Sequence, residues 1–233
     1  MPAYQGIPPE HLSGIHECLM SQKVSYPHSV STPGAVAEAK IHAAYIHETF
    51  PSLRCIVDVG ACGGHFPMAW LGLGLFAIGI DPHPDGPATL GAPILLRDAG
   101  IPLDVVPQAD AVVSWDCAEH LPESKADGLI RNLCAMAPLV FFSSDDKPGA
   151  HGHVNCKPAE WWERLFAENG YYRATHLKPP RGTILWEEWR AGLRGRIEAV
   201  PPHESYLYWV WTDASFLYVR ASSLHLLGAE IRG

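Results

Sequence analysis

The stretch that most constrains this chain is CIVDVGACGGHF, from Cys55 to Phe66. Five strand-forming positions run into Gly60, Ala61, Cys62, Gly63 and Gly64, and then an apolar helical pattern begins. A strand-to-helix turn needs about one glycine at a left-handed position. Five small residues in a row strip the loop of side chains and let a ligand touch its main-chain N–H groups. The helix that follows adds partial positive charge at the same place. Gly60, Cys62 and Gly64 stand in a GxGxG register and not in GxGxxG, and no lysine follows as it would in a P-loop.

The 233 residues and the 47% hydrophobic content suit one domain with a modest insertion. The longest apolar stretch, MAWLGLGLFAIGI, falls short of the roughly 18 residues of a membrane span and holds three glycines. The N-terminus shows no basic-then-apolar leader. We therefore expect no membrane partner. Six scattered cysteines without a CxxC pair point to reduced thiols and a cytoplasmic location. A formal charge of −8 with only 17 Lys+Arg argues against nucleic acid as a partner. Thirteen histidines form no tract.

Periodicity predicts a short helix near 10–22 and a helix from Gly34 to Phe50, with Thr32 as its cap and Pro33 in its first turn. Short apolar strands follow in RCIVDVG, FAIGIDPHP, PILLRDAG, ADAVVSWD and LVFFSS. Helices are expected in HFPMAWLGLG, ESKADGLIRNLCAMA and PAEWWERLFAENG. YRATHLK and SFLYVRAS read as a sixth and a seventh strand. Such alternation implies a mostly parallel sheet with helices on both faces. Residues 1–52 read as an N-terminal helical cap plus first helix, and 53–233 as an α/β core. An amphipathic insertion at about 179–208 is expected to cover the mouth of the sheet, with a surface helix on the core as the alternative.

Three successive strand ends carry an acid: Asp58 before the glycine loop, Asp81 and Asp98. In open α/β sheets ligands bind beyond the carboxyl ends of the strands, where an acid can accept ribose hydroxyl protons. From about Arg54 to Gly170 the chain resembles the class I S-adenosylmethionine-dependent methyltransferases. VDVGACGGHF matches the first motif, Asp81 the ribose-binding acid, Asp98 the adenine-contacting acid and ADAVVSWDCAEHLP the fourth strand. The resemblance implies a Rossmann-like, seven-stranded sheet whose last strand is antiparallel. It also implies S-adenosyl-L-methionine as cofactor, held by Asp58, Gly60, Cys62, Gly64, Asp81, Pro82, Asp98, Ala99 and Trp115. Cys62 departs from the family, which has glycine there.

Beyond the fourth strand, SWDCAEHLP places Asp116, Glu119 and His120 at i, i+3 and i+4, on one side of a helical turn. Two carboxylates and an imidazole suit a divalent metal ion, with His151 or His153 of PGAHGHVN as a further ligand. The pattern is similar to the E-x-x-E-H of the ubiquinone-biosynthesis O-methyltransferases and of the small-RNA 3′-terminal 2′-O-methyltransferases. Two other readings stand beside it: His120 as a metal-free general base, or Glu119 and His120 as structural groups. Asn155 either makes a turn or touches substrate.

Trp161, Leu165 and Phe166 are expected in the core. Trp186 and Trp189, at i and i+3 in the insertion, are candidates for substrate contact, or else they fasten the insertion to the sheet. The function expected is methyl transfer to the oxygen of a small hydroxylated acceptor such as a sugar, a phenol or a natural-product intermediate. Two alternatives are RNA 2′-O-methylation and a non-catalytic member of the fold. Lys40, Asp116 and Lys147 fall in the order of a Lys-Asp-Lys-Glu tetrad, but the last strand offers no glutamate.

Overall fold

In the computed structural model, residues 33–82, 91–104, 106–147, 152–177, 184–199 and 215–226 are described. Helix α1 (Pro33–Thr49) leads into strand β1 (Cys55–Val59), helix α2 (His65–Gly72), β2 (Phe76–Ile80), β3 (Ile94–Leu95) and β4 (Ala111–Ser114). A 3₁₀ turn at Ala118–His120 precedes α3 (Glu123–Met136) and β5 (Leu139–Ser143). Then come α4 (Ala159–Glu168), β6 (Tyr171–Arg173), β7 (His176–Leu177), β8 (Ile184–Leu185), α5 (Trp186–Glu198) and β9 (Ser215–Arg220). The predicted helix near 10–22 and the cap at Thr32 lie outside the described residues.

The main sheet has seven strands in the order β3-β2-β1-β4-β5-β9-β6. Pairings among β1 to β5 are parallel. β9 runs antiparallel to both β5 and β6. This is the mostly parallel sheet with an antiparallel last strand that the sequence implies. Chain order reverses at β1 and β4, so the tips of those two strands flank the switch point at which open sheets bind ligands.

Both faces of the sheet are covered. Ile56, Ala77, Val113, Phe141 and Leu217 face one layer, with Ile46 of α1, Trp70 of α2 and Trp189 of α5. Val57, Ile78, Val112, Val140 and Tyr218 face the other, with Leu129 and Leu133 of α3 and Trp162 and Phe166 of α4. Burial on both sides explains why β4 and β5 are apolar up to their terminal serines and do not alternate.

Two expectations are corrected, and a third point, left open by the sequence, is decided. YRATHLK is not one strand. Tyr171–Arg173 joins the sheet, whereas His176–Leu177 turns away to pair with Ile184–Leu185 in a separate two-stranded ribbon. On α4 the inward residues are Trp162, Leu165 and Phe166. Trp161 is half-buried, and its ring lies beneath Lys157 and Arg164.

The third concerns the insertion. Trp186 and Trp189 are each 2% exposed and stack on one another with ring centroids 4.7 Å apart. Trp189 Nε1 donates to Thr49 Oγ1 at 2.7 Å, and Arg196 forks onto the Glu48 carboxylate at 3.0 and 2.6 Å. Gly192 permits the approach, because a Cβ there would lie 2.3 Å from Tyr45 Oη. The two tryptophans therefore fasten α5 to α1 and are not open to a substrate. We expect Trp189→Ala to lower the unfolding free energy by about 3–5 kcal/mol. Trp189→Phe, which loses mainly the indole hydrogen bond, should cost about 1 kcal/mol. Denaturant unfolding of the two variants measures both.

Candidate functional site

The glycine loop is as bare as its sequence implies, and its shape is enforced from behind. Gly60 and Gly64 take φ of 85° and 79°. A Cβ on Gly60 would stand 2.7 Å from Cys117 Cβ, and one on Gly64 2.4 Å from Ala92 Cβ. Cys62 also sits in the left-handed region, at φ 45°, where the resemblance leads one to expect glycine. The loop is tied to the tip of β2: Gly60 N–H donates to the Ile80 carbonyl at 2.8 Å, and Cys62 N–H to Asp81 Oδ2 at 2.9 Å. Asp58, 3% exposed, lies behind the loop. Burial, and then the nearby Asp81 charge, push its carboxyl well above the usual carboxylate range.

At the tip of β3, Asp98 accepts from Gly100 N–H at 2.8 Å and pairs with Lys125 of α3. Ala99 is buried, and Asn132 Nδ2 donates to the carbonyls of Ala99 and Ile101 at 2.7 Å each. Pro82 is exposed just past Asp81. Trp115, 6% exposed, turns its ring into the core beside His42 and Phe141.

The tips of β4 and β5 build the second half of the site. Glu119, His120 and His153 offer one ligand atom each, all within 4.8 Å of one another. His120 and His153 meet edge to face, with centroids 4.7 Å apart. Glu119 is 1% exposed, and neither carboxylate oxygen has a hydrogen-bond partner among the described residues. Burial first, and then the neighbouring Asp116 carboxyl, raise its pKa strongly. His153 Nδ1 is 3.5 Å from Asp145 Oδ2, too far for a well-formed hydrogen bond.

Asp116 stands apart from this trio. Its carboxylate accepts from Ser143 Oγ at 3.1 Å, its own N–H donates back to Ser143 Oγ at 3.0 Å, and its φ is 45°. Burial raises its pKa, Ser143 opposes the rise, and Asp145 adds to it. Left-handed backbone at a residue with a side chain is strained, and such strain gathers at functional sites. His151 lies outside the described residues. Lys40 is exposed on α1, which leaves no tetrad at the site.

None of the established family profiles matches the chain. Over 83 residues it is 35% identical to uncharacterized methyltransferases of Mycobacterium bovis and Mycobacterium tuberculosis. That match spans 33% of this chain and only 33% of the length of those relatives. Among solved structures, magnesium protoporphyrin IX methyltransferase from Synechocystis with bound S-adenosylmethionine superposes with a TM-score of 0.51. It is 13% identical, over 91% of this chain and 90% of that one. The sugar N-methyltransferase KedS8 from Streptoalloteichus superposes with a TM-score of 0.53 at 14% identity, over 86% and 98%. The fold is that of the class I S-adenosylmethionine-dependent methyltransferases.

Seen as a class I methyltransferase fold, the chain holds buried polar residues near the glycine loop that motif reading overlooks. Ala35, Glu38, Ala39, His42, Ala43 and Ile46 form the inward stripe of α1, and within it Glu38 and His42 are both fully buried. His42 packs edge-on against Phe66, in the first turn after the glycine loop, and against Trp115. Two polar residues on an otherwise apolar stripe were the available signal. Ser143, at the end of β5, is another such residue.

Burial holds the His42 imidazole neutral, with its pKa lowered to about 3. The unfolded chain takes up this proton near pH 6.5, whereas the folded chain refuses it. His42 therefore withdraws stability as pH falls below about 6.5. Relative to His42→Leu, the wild type should lose about 2 kcal/mol of unfolding free energy between pH 8 and pH 5. Paired denaturation curves at the two pH values measure that difference, in which contributions common to both proteins cancel.

Proposed function

We propose that this chain is an S-adenosylmethionine-dependent methyltransferase that methylates a hydroxyl group of a small acceptor. The observation that carries the choice of oxygen is the convergence of Glu119, His120 and His153 within 4.8 Å at the tips of β4 and β5. A neutral amine attacks a methyl group with its own lone pair. An alcohol must surrender its proton, and a buried carboxylate with imidazoles beside it is what that step needs. The net charge of −8 supports a small molecule over RNA.

On this reading the cofactor lies across the glycine loop. Asp81, already fastened to Cys62 N–H, faces the ribose hydroxyls, and the Asp98–Ala99 segment faces the adenine. The bare loop lets the methionine end approach the main chain, and Asp58 supports it from behind. Catalysis rests first on holding acceptor oxygen and methyl carbon in line. His120 then takes the hydroxyl proton, with Glu119 and His153 holding the imidazole and the acceptor in place.

The same trio fits a divalent cation. Its donor set is one carboxylate and two imidazoles, and the carboxylate is buried without a hydrogen-bond partner among the described residues. Glu119, His120 and His153 would hold such an ion, with Asp116 behind them on Ser143. When bound, the ion would lower the pKa of a coordinated hydroxyl.

Calorimetry with S-adenosylhomocysteine tests the cofactor half. Binding to the wild type should weaken at least about tenfold in Asp81→Ala, equivalent to about 1.4 kcal/mol. His120→Ala should keep that affinity and lose about 10²–10⁴-fold in turnover. A wild type that does not bind the nucleoside, or a His120→Ala enzyme of normal turnover, would sink the respective half. Metal analysis of purified protein, followed by assay with a chelator and then with Mn²⁺ restored, distinguishes metal-assisted from metal-free proton removal. Loss and recovery of activity supports the first, and indifference supports the second.

A further inference from the structure

Asn155 is the buried polar residue that the scheme above leaves without a task. Its main chain is fully engaged: its N–H donates to the Glu119 carbonyl at 3.0 Å, and its own carbonyl accepts from Lys157 N–H at 3.0 Å. Val154 N–H donates to the same Glu119 carbonyl at 2.8 Å. The segment 153–155 is thereby pinned against the 3₁₀ turn that carries Glu119 and His120. Its fixed shape owes nothing to the Asn155 side chain. The residue is 1% exposed, and neither Oδ1 nor Nδ2 has a hydrogen-bond partner among the described residues.

A buried amide with both ends unpaired is destabilising, and a turn-making asparagine would bond its side chain to nearby backbone. This one does neither. Ser144 Oγ, at the end of β5, is likewise buried without a partner among the described residues. Glu119 and His153 account for the group that reacts. The amide of Asn155 offers one acceptor and one donor side by side, on a segment bonded to the turn that carries Glu119 and His120. A phenol or a simple alcohol has a single hydroxyl and cannot use them. A second hydroxyl on the adjacent carbon does: it donates to Oδ1 or accepts from Nδ2–H while the first one reacts.

Resting on the methyl-transfer reading, we infer that the acceptor is a vicinal diol of carbohydrate or cyclitol type. Asn155 is its specificity residue, reading the hydroxyl next to the one that is methylated. A site built to hydrogen-bond a hydroxyl discriminates strongly against the analogue that lacks it.

The test uses the full chain loaded with S-adenosylhomocysteine and ligand-observed NMR. The diol probes are methyl α-D-mannopyranoside, methyl α-D-glucopyranoside and myo-inositol, and the monohydroxyl probes are cyclohexanol and phenol. At least one diol should bind ten times more tightly than either monohydroxyl probe. Asn155→Ala and the near-isosteric Asn155→Asp should each abolish that preference while leaving S-adenosylhomocysteine affinity within twofold. Equal binding of diols and monohydroxyl compounds would overturn the inference. So would a preference unchanged in both variants, or no diol binding by protein that binds the nucleoside normally. Failure of the wild type to bind S-adenosylhomocysteine would instead overturn the methyltransferase reading, and this inference with it.

Discussion

Most of the site depends on a close approach of backbone to backbone at the tips of β1 and β2. Gly60 N–H bonds to the Ile80 carbonyl, and Cys62 N–H bonds to the Asp81 carboxylate. Cys117 lies behind Gly60 and Ala92 behind Gly64, both nearer than any added Cβ could tolerate. The loop is thus clamped between its neighbouring strand tips. Its remaining surface is main chain, which suits an anionic or highly polar ligand at the start of α2. Asp81 supports the loop by accepting from Cys62 N–H.

The clamp needs a rigid frame, and the two apolar layers supply it. α1 and α5 close one face through Trp186, Trp189 and Thr49, so α5 buttresses the core. On the other face α3 comes close enough that a Cβ on Gly128 would lie 2.3 Å from the Gly100 carbonyl. Asn132 holds the carbonyls on either side of Gly100. The segment that would meet an adenine is therefore set by a helix some thirty positions later in the chain.

The β4 and β5 tips work differently. Their polar groups are held by burial and by a few main-chain bonds, and several side chains keep unused hydrogen-bonding capacity. Asp116 is engaged by Ser143, whereas Glu119 and Asn155 are engaged only through their main chains. Buried polar groups left in this condition are costly to a fold. They gather at the carboxyl end of the sheet, beside the glycine loop, where Cys117 past β4 backs Gly60.

The sequence by itself determined the sheet. Alternating apolar strands and helices, with acids at successive strand ends, leave few other architectures, because each signal is local and repeats along the chain. The glycine loop, Asp58, Asp81 and Asp98 were legible for the same reason. Tertiary structure decided what sequence spacing could not. Asp116, Glu119 and His120 share one turn by spacing, yet only Glu119 and His120 converge with His153, because Ser143 of a different strand holds Asp116. Trp186 and Trp189 read equally well as contacts or as core until α1 is packed over them. The full burial of Glu38 and His42 was unreadable, since it arises from elements distant in the chain. Backbone propensity is written residue by residue, but the environment of a side chain exists only once the layers have met.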